Sequence, residues 1–357
     1  MTARERFRRI MAYEPVDALP VLALEPYEPT ALARWRTEGL PADHSPEQFL
    51  GMPRLTHVPI GFGPVPGFAE EVLSEDDEYE TVVSWSGAIV WRRKDNPSMF
   101  YGHLSHPVQS HADWEQYKLR FQADTPGRIP EDWIETVAPR LNGSEDPVGL
   151  CLFPFFFRLG FYALGMERFL SAFYEEPDLL HAMFSHFGAF VLEVVQRIVP
   201  HVQLDYVVSG EDLAGKNGPM ISPRTYEEFW CPYQDPIIEL LRAHNVPVIC
   251  QWTAGNVEPL LPTLLDHGFN CTWPLEVVCG QDAGKMRQRY GNGLLLAGNI
   301  AKEAVIAGPA AIDAEIARLM PLIRAGGFFP ALDDMASPDM PFAHYRYLIE
   351  SLQAVRL

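Results

Sequence analysis

Acidic side chains recur where the apolar, strand-like runs of this chain end, a spacing that points to acid–base chemistry or to a divalent cation. Glu25 follows Leu19 to Leu24, Glu211 and Asp212 follow Leu204 to Val208, and Glu276 follows Phe269 to Trp273. Asp333 and Asp334 follow Gly327 to Leu332, while Arg158, Gln251, Trp252 and Asn299 stand at the other run ends. Carboxylates crowded at one mouth raise one another's pKa, so that one can hold a proton while another stays ionised. That assigns acid or base work to Asp212, Glu276 and Asp334, with Glu25, Glu211, Gln251, Trp252, Asn299 and Asp333 placed to bind substrate. Glu211 and Asp212 open the stretch SGEDLAGKNGPMISPRTYEEFWCPY, Ser209 to Tyr233, in which Ser222 and Pro223 form an N-cap and first-turn pair. A plain alternative is that Asp212 only braces its loop.

FPFFFRLG, Phe153 to Gly160, sets Phe155 and Phe156 beside Arg158. The phenylalanines read either as core or as the wall of a pocket for a flat, partly aromatic substrate. Arg158 reads either as a structural ion pair or as a bidentate anchor for a substrate carboxylate. Zinc prefers His or Cys among its ligands. The strand ends offer no histidine and one nearby thiol, Cys279, so a metal site there would comprise Glu276, Cys279 and Asp334.

Positions of this kind need a scaffold that gathers strand ends. Strand-like runs at Val148 to Phe153, Leu204 to Val208, Val246 to Gln251, Phe269 to Trp273, Leu294 to Ala297 and Gly327 to Leu332 alternate with amphipathic helices. With Leu19 to Leu24, and an eighth strand hidden in residues 50–145, they predict an α/β fold, a (β/α)8 TIM barrel spanning 1–357 as one domain. An open doubly wound sheet is the alternative, though no GxGxxG follows any run. Residues 50–145 read as an elaboration within the barrel. TVVSWSGAIVWRRK forms a β-hairpin there, and His103, His106 and His111 serve as surface or hydrogen-bonded residues rather than ligands.

The formal net charge of −19 argues against nucleic acid or an anionic membrane as partner. Five cysteines form no CxxC pair and no disulfide framework, which fits a reducing cytoplasm. MTARERFRRIMAYEP reads as a charged amphipathic helix, not a signal core, and no apolar stretch of about 18 residues is expected to span a bilayer.

Several stretches together resemble the uroporphyrinogen decarboxylase superfamily: the Ser209 to Tyr233 stretch, GFNCTWPLEV, YGNGLLLAGNIAKEAV and GGFFPALDDMASPDMPFAHYRYL, joined by ARWRTEGLP, FFFRLGFYALGMERFLSAFYEEPDLL and the run around WEQYKLRF. The resemblance covers nearly the whole chain and implies a (β/α)8 barrel. It also implies one of two activities: decarboxylation of uroporphyrinogen without a cofactor, or methyl transfer involving a corrinoid protein and zinc. ALEPYEPTALARWRTEGLP is similar to the methyltransferase-related branch, and no RQAGRY-type arginine stretch follows the first strand. Where methyltransferase members carry His-x-Cys-Gly or His-x-Asp-Gly, this chain has Trp252, Thr253, Ala254 and Gly255. A second position, commonly Asp-His or Cys, reads Asp333-Asp334, while the Pro-x-Glu motif keeps Glu276. The leading expectation is a methyltransferase- or demethylase-like enzyme for a small, partly aromatic substrate, with a corrinoid supplied by a partner. Decarboxylation of a porphyrinogen-like or simpler carboxylate is the first alternative, and a non-catalytic barrel that binds a ligand or a corrinoid partner the second.

Overall fold

The computed structural model describes the backbone of residues 1–357 and every side chain except those of Ser98 and Met99. Thirteen strands follow in chain order. β1 is Thr56–His57, and β2 (Glu71–Glu75), β3 (Tyr79–Val83), β4 (Ile89–Arg93) and β5 (Asn96–Ser105) come next. Then come β6 (Val148–Leu152), β7 (Tyr206–Gly210), β8 (Ala214–Gly215), β9 (Gly218–Pro219), β10 (Ile249–Trp252), β11 (Cys271–Trp273), β12 (Leu295–Ile300) and β13 (Phe328–Leu332). Seven of them form one curled parallel sheet in the order β1-β6-β7-β10-β11-β12-β13. Helices fill the crossovers, as parallel neighbours require.

The eighth place in the ring is held without a ladder. Residues 21–25 line a gap of about 20 Å³ with Pro330, Ala331 and Leu332 of β13, and Tyr27 makes a single parallel bridge to Ala336. The strand expected at Leu19 to Leu24 is therefore an extended segment. Pro20 and Pro26 flank it and lack the N–H that a ladder needs. The strand expected inside residues 50–145 is β1, which pairs Thr56 with Val148 and His57 with Gly149.

The amino-terminal floor of the barrel is closed by helix Ala3–Met11, whose Thr2 cap and Glu5 form a capping box. Phe7 lies 5.8 Å from the Tyr206 ring and 5.6 Å from Phe329, filling the space between β7 and β13. Helix Pro177–Ile198 is, by length and composition, apolar enough to cross a bilayer, which corrects the expectation that no such stretch exists. It buries Leu179, Met183, Phe187, Val191 and Val194, so its apolar face is spent on packing within the fold.

β2 to β5 make a separate antiparallel sheet. The expected hairpin is its β3–β4 pair, turned through Ser84 to Gly87, where Ser84 N–H donates to the Ala88 carbonyl at 2.8 Å. Trp85 from that turn packs edge-on against Tyr162, ring centroids 5.1 Å apart, and Tyr117 Oη donates to the Ser86 carbonyl. The sheet is thereby fastened beside the helix that carries Arg158. His103 stacks on His106 at 5.3 Å, and His106 Nδ1 meets the Tyr162 carbonyl.

Candidate active site at the barrel mouth

The carboxyl ends of the strands surround an open cavity of about 930 Å³. Glu25, Arg158, Asp212, Trp252 and Asp334 all line it, so five of the residues singled out in the sequence meet there.

Glu25 is held by two indoles. Trp252 Nε1 donates to its Oε1 at 2.6 Å, and Trp273 Nε1 donates to the same oxygen. Both tryptophans end adjacent strands, and register pairs Trp252 directly with Trp273. Burial pushes the Glu25 carboxyl up to about 7, against the two indole donors, and Asp334 and Glu276 add repulsion. A carboxyl with that pKa can give a proton at neutrality.

Arg158 and Asp212 form an ion pair, Nη2 to Oδ2 2.6 Å. Burial is the main reason the Asp212 pKa is raised, with Arg158 pulling it back. The Arg158 guanidinium also lies 5.7 Å from the Phe153 ring and 5.9 Å from Trp252, distances suited to cation–π attraction. Across the mouth, Lys302 Nζ donates to Asp334 Oδ2. Two cations near the mouth are thus already answered by carboxylates.

Glu211 does not face the cavity. It is fully buried, and its Oε2 accepts from Phe157 N at 2.8 Å and Arg158 N at 3.2 Å, while Trp230 Nε1 donates to Oε1. Phe155, the N-cap of helix Phe156–Leu164, has no capping side chain. Glu211 reaches across from β7 to satisfy those open N–H groups instead. Glu211 thus braces a neighbouring helix, while Asp212, read as a possible loop brace, stands on the cavity wall paired with Arg158. Burial raises Glu211 to about 7 against these three donors. Glu211→Gln should cost about 1–3 kcal/mol in urea unfolding, because an amide nitrogen then meets donors. A loss below measurement error would remove the bracing role.

Phe155 and Phe156 are fully buried and pack against each other at a tilt, ring centroids 4.5 Å apart, so they are core and offer no face to a ligand. The aromatic wall comes from Phe153, Tyr27, Trp252 and Trp273 instead. Gln251 is buried below the mouth, accepting from Ser209 Oγ at 2.9 Å. Asn299, at φ 64°, caps the helix beginning at Ala283 and donates to the Leu275 and Gln281 carbonyls, which holds the loop carrying Glu276. Buried Asp333 accepts from Val277 N and Lys302 N, both at 2.9 Å, and burial raises it to about 6. These three residues position the mouth rather than line it.

Glu276 sits behind the wall. Gly255 N donates to its Oε2, and Cys279 Sγ donates to the same oxygen at 3.1 Å. Gly255 has φ +79°, and a Cβ there would stand 2.6 Å from the Ala214 carbonyl, so the loop after β10 can pass β8 only with glycine. Glu276 and Cys279 are joined to each other, whereas Asp334 is engaged by Lys302. Among the described residues, no three His, Cys, Asp or Glu side chains at the mouth bring ligand atoms together. The set Glu276, Cys279 and Asp334 therefore does not fit zinc.

His57, Cys151 and Arg54 also line the cavity and had no signal that the sequence reading could use. β1 is two residues long and shows no period, and Cys151 reads as an ordinary buried strand thiol. His57 opens to the cavity while the surrounding protein lowers its pKa by desolvation.

Uroporphyrinogen decarboxylase of Ectopseudomonas mendocina (strain ymp) is 26% identical over 238 residues, 62% of this chain and 62% of that one. The enzyme of the same name from Pseudomonas aeruginosa (strain LESB58) is 25% identical over 230 residues, with the same shares. The chain thus spans 62% of the length of these curated relatives. A methyltransferase from Methanosarcina mazei shares the fold, with a TM-score of 0.64, 17% identity, and 99% of this chain and 98% of that one covered. The sequence model of the family described as uroporphyrinogen decarboxylase (URO-D) matches residues 101–355, and the chain belongs to that family.

Proposed function

We propose that this chain is a demethylase-like methyltransferase for a small, uncharged, partly aromatic substrate, and that Glu25 is its general acid. What carries this reading is a buried carboxyl held by two indoles, its pKa pushed up to about 7, beside an aromatic wall where Arg158 is paired with Asp212 and Lys302 with Asp334. A substrate bearing eight carboxylates needs several unpaired cations, whereas Arg158 and Lys302 are engaged by Asp212 and Asp334, and Arg54, on the cavity lining, donates to Ser45 Oγ. A flat methyl ether or methylamine needs stacking surface and a proton for its leaving atom.

In the proposed step, the bond between the methyl carbon and the substrate oxygen or nitrogen breaks, and its electron pair stays on that heteroatom. Glu25 supplies the proton that neutralises it, and the methyl carbon passes to a two-electron nucleophile carried by a partner, for which a corrinoid protein is the expectation. Tyr27, Phe153 and Trp252 hold the ring, Trp252 and Trp273 orient Glu25, and Glu211 fixes the backbone under Arg158. No step is routed through zinc. A cytoplasmic location, without nucleic-acid or membrane partners, belongs to the same proposal.

Decarboxylation is the second reading, favoured by the names of the curated relatives and by Arg158 on the cavity wall. There Arg158 would leave Asp212 to hold a substrate carboxylate, and Glu25 would protonate the carbon that loses CO2. Anaerobic incubation with simple methoxyarenes and reduced cobalamin separates the two. The expected result is free phenol and methylated cobalamin in equal amounts, with uroporphyrinogen unchanged. Release of CO2 from uroporphyrinogen without methyl transfer would overturn the leading reading.

A further inference from the structure

On the outer face of the barrel, away from the mouth, three side chains of different chemistry converge. Cys231 begins helix Cys231–Ala243, and Asp235 lies one turn along it, so both point the same way. His267 stands directly after helix Leu261–Asp266. One ligand atom from each, Cys231 Sγ, an Asp235 oxygen and a His267 nitrogen, lies within 4.8 Å of the other two. Cys231 is buried, and the other two are half-buried.

A surface Asp–His pair accounts for part of this, since His267 Nδ1 meets Asp235 Oδ2 at 2.8 Å. It does not account for Asp235 Oδ1, which is shielded from solvent and has no hydrogen-bond partner among the described residues. A shielded carboxylate oxygen left without a donor is costly, and a cation beside it removes that cost. A thiol, an imidazole and a carboxylate form a donor set that zinc accepts, whereas calcium and magnesium prefer oxygen alone. Separations of up to 4.8 Å close to tetrahedral zinc distances by small side-chain rotations, with the solvent side left for a water as fourth ligand.

We propose that Cys231, Asp235 and His267 bind one zinc ion, which ties the helix before β10 to the helix after it. The consequence is mechanical. These two helices flank β10 in the chain, and β10 ends in Trp252, one of the two indoles that hold Glu25. The ion would fasten that strand from outside without touching the cavity. This inference stands apart from the proposed reaction and survives its failure.

Cobalt(II) added to chelator-treated full-length protein provides the test, because a cobalt–thiolate bond absorbs in the near ultraviolet. One equivalent should bring up that band and raise the Tm, and zinc should displace it. Cys231→Ser should abolish the band. His267→Gln, at a partly exposed position, should weaken binding at least tenfold even if the cysteine variant folds poorly. The proposal is overturned if no thiolate band appears. It is equally overturned if the band persists in Cys231→Ser, which would place the metal on another cysteine, or if His267→Gln binds as tightly as the unaltered chain.

Discussion

Glu25→Gln is expected to lower turnover by about 10²–10⁴-fold, the range that a positioned acid or base contributes. The substitution is chosen because it preserves the site's shape. A glutamine carbonyl can accept from Trp252 Nε1 and Trp273 Nε1 as Glu25 Oε1 does, so the two indoles keep their partner and only the transferable proton is lost. With the acid at about 7, kcat/KM of the unaltered enzyme should fall as pH rises through 7, and the residual rate of the variant should not titrate there. Stability has a related sign. The folded chain holds this proton up to about 7, whereas the unfolded chain releases it near 4.5. Folding therefore weakens as pH rises between those values, and Glu25→Gln should flatten that slope. Unchanged kcat, or an unchanged descending limb in the variant, would remove Glu25 from the chemistry and with it the main support for the proposed reaction.

The parallel-sheet architecture and the gathering of strand ends were legible because parallel strands buried on both faces read as apolar runs, and their ends show where polar residues begin. Asp212, Trp252 and Asp334 were found that way. What the runs could not reveal was which way a strand-end side chain turns. Glu211 and Asp212 are neighbours, yet one reaches sideways to cap helix Phe156–Leu164 and the other meets Arg158 at the cavity. That choice follows from the absence of a capping side chain at Phe155 in another element, a tertiary fact. Phe155 and Phe156 illustrate the same limit, since an aromatic run has the same composition whether it lines a pocket or fills a core. The segment before Glu25 reads as a strand by its apolar content, but its prolines deny it a ladder. His57 lay beyond reach because a two-residue strand has no period to detect. The Cys231, Asp235 and His267 cluster joins one turn of a helix to a residue 32 positions beyond Asp235, and only the packing of two helices brings them together.

Asp205→Ala should destabilise the fold by about 3–5 kcal/mol, the cost of removing one partner from a buried charge pair. Asp205 lies just before β7 at the floor of the barrel and is fully buried. Its Oδ2 accepts from Arg4 Nε at 2.8 Å and from Val148 N at 2.6 Å, and its Oδ1 accepts from Arg8 Nε. Arg4 is itself buried, and it donates further to the carbonyls of Leu141, Asn142 and Gln203. One carboxylate thus joins the N-terminal helix, the start of β6 and the start of β7. Without it the Arg4 guanidinium remains in the floor facing only carbonyl dipoles, and the helix that seats Phe7 between Tyr206 and Phe329 loses its anchor. Urea unfolding should show the loss as a lower midpoint with little change in slope, and amide exchange in residues 3–11 should accelerate. Asp205→Asn should lose less, because it keeps an acceptor for Val148 N. A combined Asp205→Ala, Arg4→Met variant should recover part of the loss, since the penalty resides in the stranded charge and not in the missing contact. If the double variant is as unstable as the sum of its parts, the charge account is wrong and the floor is held by packing around Phe7.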